Sequence, residues 1–262
     1  MLSDPAIGRV LLVGAGPGPA DLMTVRAMRA VQGAQALLYD ALVSDEVIAL
    51  APPGCFRIQT GKRAGRASMP QAAINRLMLR LARRGLTVVR LKGGDPSVFG
   101  RVGEEVDFLR RNGVPTEVVP GVTAACAAAA QFDIPLTHRG LARRVLFATA
   151  RTEGGALVDV DWRGLADGQT TLALYMGKSA AGLLAEQLIA DGLAADTPVA
   201  AIENAGAATA RLIQAPLDGL ASTLGDMDLS GPVLILIGEV AARAAHDLAV
   251  TLPDAKRSSR TP

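Results

Sequence analysis

Three glycine-bearing turns hold the residues best suited to bringing a small ligand against bare main chain. RVLLV at 9–13 runs into Gly14-Ala15-Gly16-Pro17-Gly18-Pro19, and TVVRL at 87–91 runs into Lys92-Gly93-Gly94-Asp95-Pro96-Ser97-Val98-Phe99-Gly100-Arg101. Glycine lets a ligand approach the backbone, and open α/β sheets bind ligands just beyond the carboxyl ends of their strands, so these two turns mark a crevice. A third turn, Val119-Pro120-Gly121-Val122-Thr123-Ala124-Ala125, enters a stretch of small residues from Ala124 to Ala130. Such a stretch accommodates either a neighbouring helix or a flat ligand.

The side chains at these turns each admit two readings. The first turn and Asp40, which ends ALLYD at 36–40, have the outline of a dinucleotide site with a ribose-binding acid. That site requires a third glycine where Pro19 stands, and the ring of Pro17 removes an N–H that a pyrophosphate would use. A tight strand-to-helix turn without a phosphate satisfies the residues better, which disfavours a nicotinamide oxidoreductase. Asp95 is either an acceptor for a ligand hydroxyl or amine, or the cap of the helix that follows. Asp40 is either an acid–base group tuned by burial or a neighbour, or a helix cap or salt-bridge partner.

The elements that must position these residues alternate regularly. Further β-rich runs are FRIQT at 56–60, VLFATA at 145–150, TLALYMG at 171–177, PVAAIEN at 198–204, RLIQA at 211–215 and PVLILIG at 232–238. Between them lie amphipathic stretches. One buries Leu22, Val25, Met28 and Val31; another, Pro70 to Arg84, buries Ile74, Leu77, Met78 and Leu81, turns Arg76, Arg80, Arg83 and Arg84 outward and is closed by Gly85. This rhythm predicts crossover connections and a largely parallel sheet, with a return to antiparallel pairing over the last two runs. The fold class is α/β with two α/β domains, 1–139 and 140–240, followed by a C-terminal helix or flexible tail at 241–262.

Composition excludes several classes. Half of the 262 residues are apolar and a fifth are charged, which rules out a disordered chain, and no apolar run approaches the roughly 20 residues a membrane helix needs. A net charge of +2 with eight aromatics gives no basic groove lined with stacking platforms, so nucleic acid is not an expected partner. Cys55 and Cys126 stand alone without metal-ligand spacing, so no metal is expected. The first ten residues lack a signal-peptide pattern, and the expected compartment is the cytoplasm. Of the 27 basic residues 23 are arginine, which suits bidentate grip on carboxylates or phosphates, although an arginine-rich coding bias gives the same count.

Taken together, GAGPG at 14–18, LYDALVS at 38–44, Gly61-Lys62, MPQAAIN at 69–75, VVRLKGGDPSVFGR at 88–101, VVPGVTAA at 118–125, IPLTHR at 134–139, YMG at 175–177 and IEN at 202–204 follow an order and spacing that resembles the uroporphyrinogen-III C-methyltransferases of the tetrapyrrole methylase family. The likeness spans residues 9–240. It implies a class III methyltransferase-like fold of two α/β domains with a cofactor cleft between them, and a homodimer. The implied reaction uses S-adenosyl-L-methionine, leaves S-adenosyl-L-homocysteine, and methylates rings A and B of uroporphyrinogen III to give precorrin-2, on the route to sirohaem and cobalamin. A later precorrin is the alternative substrate.

By position, the resemblance places cofactor contacts on Pro17, Gly93, Gly94, Asp95, Val98, Thr123, Ala124, Met176 and Ala205. It places a proton acceptor and donor on Asp40 and Lys62, the latter also suited to holding a propionate. Met176 either touches adenine or fills the core. The eight carboxylates of the implied macrocycle call for cations, for which Arg101 and Arg139 are the first candidates, with Arg143, Arg144, Lys62 and Arg63 beside them. Arg83, Arg84, Arg110 and Arg111 are expected to be solvated. The chain departs from the family pattern at Pro19, Ala41, Ala67, Ala72, Ala73, Ala150 and Arg151, which leave the cofactor loops intact but fall near where the resemblance places the tetrapyrrole. Arg66 and Arg151 are candidate substitutes for the lost polar groups.

Overall fold

Each of these nine β-rich runs, and a tenth, TEVVP at 116–120, forms a strand in the computed structural model, which describes residues 7–61, 69–149 and 167–244. The chain divides into two units between Ala127 and Ala128. The first contains β1 (Arg9–Gly14), β2 (Ala36–Tyr39), β3 (Phe56–Gln59), β4 (Thr87–Lys92) and β5 (Thr116–Val119), in the order β3-β2-β4-β1-β5 with every pairing parallel. Parallel neighbours require crossovers, and these supply α1 (Val25–Gln32), α2 (Asp45–Ala49), α3 (Gln71–Ala82) and α4 (Val102–Arg111).

Alternation along the strands then fills two cores. Leu11, Val13, Leu37, Val89 and Leu91 pack with Ala27 and Val31 of α1 and Val47 of α2, while Val10, Leu12, Leu38 and Val88 pack with Ile74 and Met78 of α3 and Val106 and Leu109 of α4. On α3 Ile74, Met78 and Leu81 are buried and Arg76, Arg80, Arg83 and Arg84 exposed as expected, while Leu77 is only half-buried. The stripe expected on the first helix is corrected. Leu22 lies in a separate 3-10 turn and Val25 is 58% exposed; the buried positions are Ala27 and Val31, because a helix repeats every 3.6 residues and a spacing of three drifts off the face.

Helix α5 (Ala124–Gln131) follows β5, and the division between the units falls within it. The second unit contains β6 (Arg144–Thr149), β7 (Thr170–Tyr175), α6 (Ala181–Ala190), β8 (Pro198–Glu203), β9 (Arg211–Pro216), α7 (Leu220–Gly225) and β10 (Val233–Ile237). The strand order is β6-β7-β10-β8-β9. β6 and β7 are parallel, and the other pairings are antiparallel. The expected antiparallel return is present, but through β8, which separates β9 from β10 and pairs with both. Because β10 runs against both neighbours, β7 and β8 run the same way and their carboxyl ends share one edge of the sheet.

Candidate functional site

In the first unit the three glycine turns are fastened into a single platform. The Gly16 N–H donates to the Gly94 carbonyl at 3.2 Å and the Gly94 N–H donates back to Gly16 at 2.7 Å, with both residues in the left-handed region at φ +74° and +68°. A Cβ on Gly121 would stand 2.3 Å from the Gly94 carbonyl oxygen and 2.9 Å from the Gly14 Cα, so three backbones meet at a spacing no other residue permits. Asp95 ties two of the turns. Its Oδ2 accepts from the Gly121 N–H at 2.9 Å, and its Oδ1 accepts from the Ser97 N–H at 2.8 Å and from the Ser97 hydroxyl. Helix α4 begins only at Val102, with Arg101 before it, so Asp95 does not cap that helix.

Two helix caps extend the platform. Thr24 caps α1 by accepting from the Ala27 N–H and donates to the Pro120 carbonyl at 3.1 Å. Ser44 caps α2 and donates to the Gly18 carbonyl at 2.7 Å, joining the turn after β2 to the first glycine turn. Around these fastenings Pro17, Gly93, Gly94, Asp95, Val98 and Ala124 are half-buried and Thr123 is buried. A side chain at position 94 would meet only the Thr123 Cα, at 3.9 Å. That open backbone face admits close main-chain approach by a thin or flat ligand.

Beside the platform lies a buried polar network. Asp40 and Thr60 continue the strand alternation of Leu38 and Ile58, and Arg90 and Lys92 that of Val88, so all four face α3 and α4. The Asp40 Oδ1 accepts from Arg90 at 2.6 Å and from the Thr60 hydroxyl at 3.1 Å. The Arg90 Nε donates to Glu105 at 3.2 Å, the Lys92 ammonium lies 3.3 Å from both Glu105 oxygens, and Gln71 donates to Glu105 at 2.9 Å. Glu105 is fully buried, and the Arg90 and Lys92 side chains are 3% and 6% exposed; Asp40 keeps 31% of its side-chain surface. Burial and the adjacent Arg90 hold the Lys92 ammonium below the usual lysine range, against the opposing pull of Glu105 and Asp40. The salt-bridge reading of Asp40 therefore holds, with its carboxylate still accessible.

In the second unit, Met176 follows β7 and Ala205 follows β8, at the shared carboxyl edge. Met176 is exposed and has φ +55°, so it does not fill the core. Of the five described non-glycine residues at left-handed φ, Phe99, Arg101, Met176 and Asn204 lie in turns leaving β4, β7 and β8. Backbone strain of this kind gathers at functional sites. The turn around Ala205 is braced by Gln131, which accepts from the Gly206 N–H at 2.8 Å and donates to the Ala207 carbonyl at 3.0 Å.

Glu203, just before that turn, is buried. It accepts from the Gly231 N–H at 2.7 Å and from Arg211 at 2.7 Å, and these contacts, the backbone one foremost, hold its carboxyl below the usual range. A depressed carboxyl stabilises the fold above its ordinary pKa of about 4.3 and loses that contribution as pH falls through the lower folded value. Urea unfolding of Glu203→Gln at pH 7 and at pH 3 is expected to show a deficit relative to the parent that shrinks at the lower pH. An equal deficit at both overturns the expectation.

The substrate-binding candidates belong to both units. Arg101 makes a two-pronged pair with Glu104, both contacts at 2.8 Å, and Arg139 is exposed in the turn closed by His138 and Ala142. Arg143 is exposed, and Arg144 is paired with Asp167. Arg83, Arg84, Arg110 and Arg111 are exposed, as expected. Lys62, Arg63, Arg66, Ala67, Ala150 and Arg151 lie outside the described residues. The roles of Arg90, Glu105 and Gln131 went unread in the sequence, although the two-residue spacing of Arg90 and Lys92 within a strand places both on one face.

A family model described as Tetrapyrrole (Corrin/Porphyrin) Methylases matches residues 9–221. A protein named uroporphyrinogen-III C-methyltransferase from Paracoccus denitrificans (strain Pd 1222) is 47% identical over 91% of this chain and 83% of its own length. A siroheme synthase from Nitrosospira multiformis is 45% identical over 90% of this chain and 50% of its own length, so the chain spans about half of that relative. The crystal structure of uroporphyrin-III C-methyl transferase from Thermus thermophilus complexed with S-adenyl homocysteine superposes with a TM-score of 0.78 at 42% identity, covering 90% of this chain and 99% of that one.

Proposed function

We propose, from the premise that this chain belongs to the tetrapyrrole (corrin/porphyrin) methylase family, that it transfers two methyl groups from S-adenosyl-L-methionine to rings A and B of uroporphyrinogen III, giving precorrin-2 for sirohaem or cobalamin synthesis. The observation that carries this reading is the platform of Gly16, Gly94 and Gly121, with its open backbone face, beside an accessible carboxylate on Asp40. Pro17, Gly93, Gly94, Asp95, Val98, Thr123 and Ala124 of the first unit and Met176 and Ala205 of the second would hold the cofactor, with Asp95 also shaping the turns.

When bound, S-adenosyl-L-methionine supplies an electrophilic sulfonium methyl, so the chain has to provide alignment and to manage protons. An electron-rich pyrrole carbon would take the methyl as its bond to sulfur breaks, leaving S-adenosyl-L-homocysteine, and Asp40, whose Oδ1 accepts from Arg90, would accept the proton that the macrocycle gives up. Lys62 is the proposed donor. Arg101 and Arg139 are the proposed partners of the macrocycle's carboxylates, Arg101 by exchanging Glu104 for substrate. The assembly is proposed to be a cytoplasmic homodimer, which sedimentation of the purified chain tests.

Incubation with uroporphyrinogen III and methyl-labelled cofactor is expected to place two labelled methyl groups on each macrocycle, and calorimetry to detect S-adenosyl-L-homocysteine binding. Cofactor binding without label transfer assigns the chain to a later precorrin. Absence of heat for both cofactor and by-product overturns the reading altogether.

A further inference from the structure

Glu105 has no task in the reaction as described, yet it is the most deeply buried charged side chain of the network. An unpaired buried carboxylate is costly, and a packed hydrophobic group at such a site is commonly no less stable, so its presence calls for more than stability. Among the described residues, the charged groups facing Asp40 are Arg90 and Lys92 from β4 and, behind them, Glu105 from α4. Thr60 after β3 and Gln71 and Asn75 of α3 add neutral hydrogen bonds. The four ionised groups sum to zero, and Glu105 touches both cations while Asp40 touches one. Lys92 also stands immediately before Gly93, the first glycine of the second turn, and its stem passes against Gly100, where a Cβ would lie 3.1 Å from Lys92 Cε.

We propose that Glu105 is a positioning residue, which balances Lys92 and fixes Arg90 so that Arg90 holds the Asp40 acceptor in place at the rim of the cofactor turns. This rests on Asp40 being the proton acceptor. Glu105 thereby connects two functions that lie on different loops: Arg90 sets the acceptor after β2, and Lys92 anchors the stem of the turn after β4. Charge reaches Asp40 through this network with a definite sign. Removing the Glu105 charge leaves two cations against one carboxylate and favours ionised Asp40; removing the Lys92 charge does the reverse.

The test is the pH profile of kcat at saturating substrates, which falls on the acid side as the acceptor becomes protonated. Glu105→Gln is expected to move that limb to lower pH by about half to one unit, and Lys92→Met to move it up by a similar amount. The double variant restores the balance and is expected to return the limb to within about 0.3 of a unit of the parent. Packing damage alone would lower kcat without moving the limb, and would be worse in the double variant. An unmoved limb in a single variant that folds, or a double variant displaced further than either single, overturns the proposal. If Glu105→Gln does not fold, Lys92→Met and the double variant decide on the same terms. Asp40→Asn separates the two levels: retained turnover removes the acceptor reading itself, whereas lost turnover with an unmoved limb removes only the role of Glu105.

Discussion

Asp40→Asn is expected to lower turnover by roughly 10² to 10⁴ while leaving S-adenosyl-L-homocysteine binding within a fewfold of the parent. The substitution is close to isosteric, and the remaining amide oxygen can still accept from Arg90 and from the Thr60 hydroxyl. The loss is of one negative charge and of the ability to take up a proton. The buried cations then outnumber their partners, and the excess lies at a partly solvated position where water screens it. The fold is therefore expected to lose only about 1 kcal/mol, since Asp40 is partly solvated and its hydrogen bonds survive. Labelled-methyl transfer, by-product calorimetry and urea unfolding on one preparation check all three expectations. Turnover within tenfold of the parent would remove Asp40 from the reaction.

Gly121→Ala is expected to reduce affinity for S-adenosyl-L-homocysteine by about 100-fold and to destabilise the first unit by about 3 kcal/mol. The added methyl would lie 2.3 Å from the Gly94 carbonyl oxygen, with Gly14 backbone on its other side, so no side chain can rotate away to admit it. Relief requires the turns after β1, β4 and β5 to part. Parting them breaks the Gly121 N–H contact with Asp95 and the paired hydrogen bonds between Gly16 and Gly94. Gly103→Ala is the matched control: it lies in α4 with nothing within 4 Å of its Cβ position, and is expected to stabilise that helix by up to about 1 kcal/mol with affinity unchanged. Calorimetry and thermal unfolding of both variants test the contrast. Unchanged affinity in Gly121→Ala would mean that the platform does not receive the cofactor.

Much of this is legible in the amino-acid sequence. The ten strands declare themselves as short runs of β-branched and aliphatic residues bounded by glycine, proline and polar residues, and α3 declares its buried face through Ile74, Met78 and Leu81. The turns after β1 and β4 stand out because glycine at a strand end has few other causes. The first helix was misread because its apolar residues at a spacing of three mark an exposed edge at Val25 as readily as a core. Of the two readings of Asp95, the helix cap is excluded by the start of α4 at Val102, and the hold of its carboxylate on Ser97 and Gly121 is invisible in the sequence because it depends on how far the turn after β5 lies from the turn after β4.

The alternation of elements, the glycine turns and the placing of Arg90 and Lys92 on one side of a strand follow from periodicity and local stereochemistry alone. That this side is the buried one, that Glu105 arrives against it from α4, and that Asp40 stands at its open end are consequences of how the elements pack. Strand order and helix packing set those contacts, and they join residues from Asp40 to Glu105 whose separation along the chain carries no trace of their proximity in space.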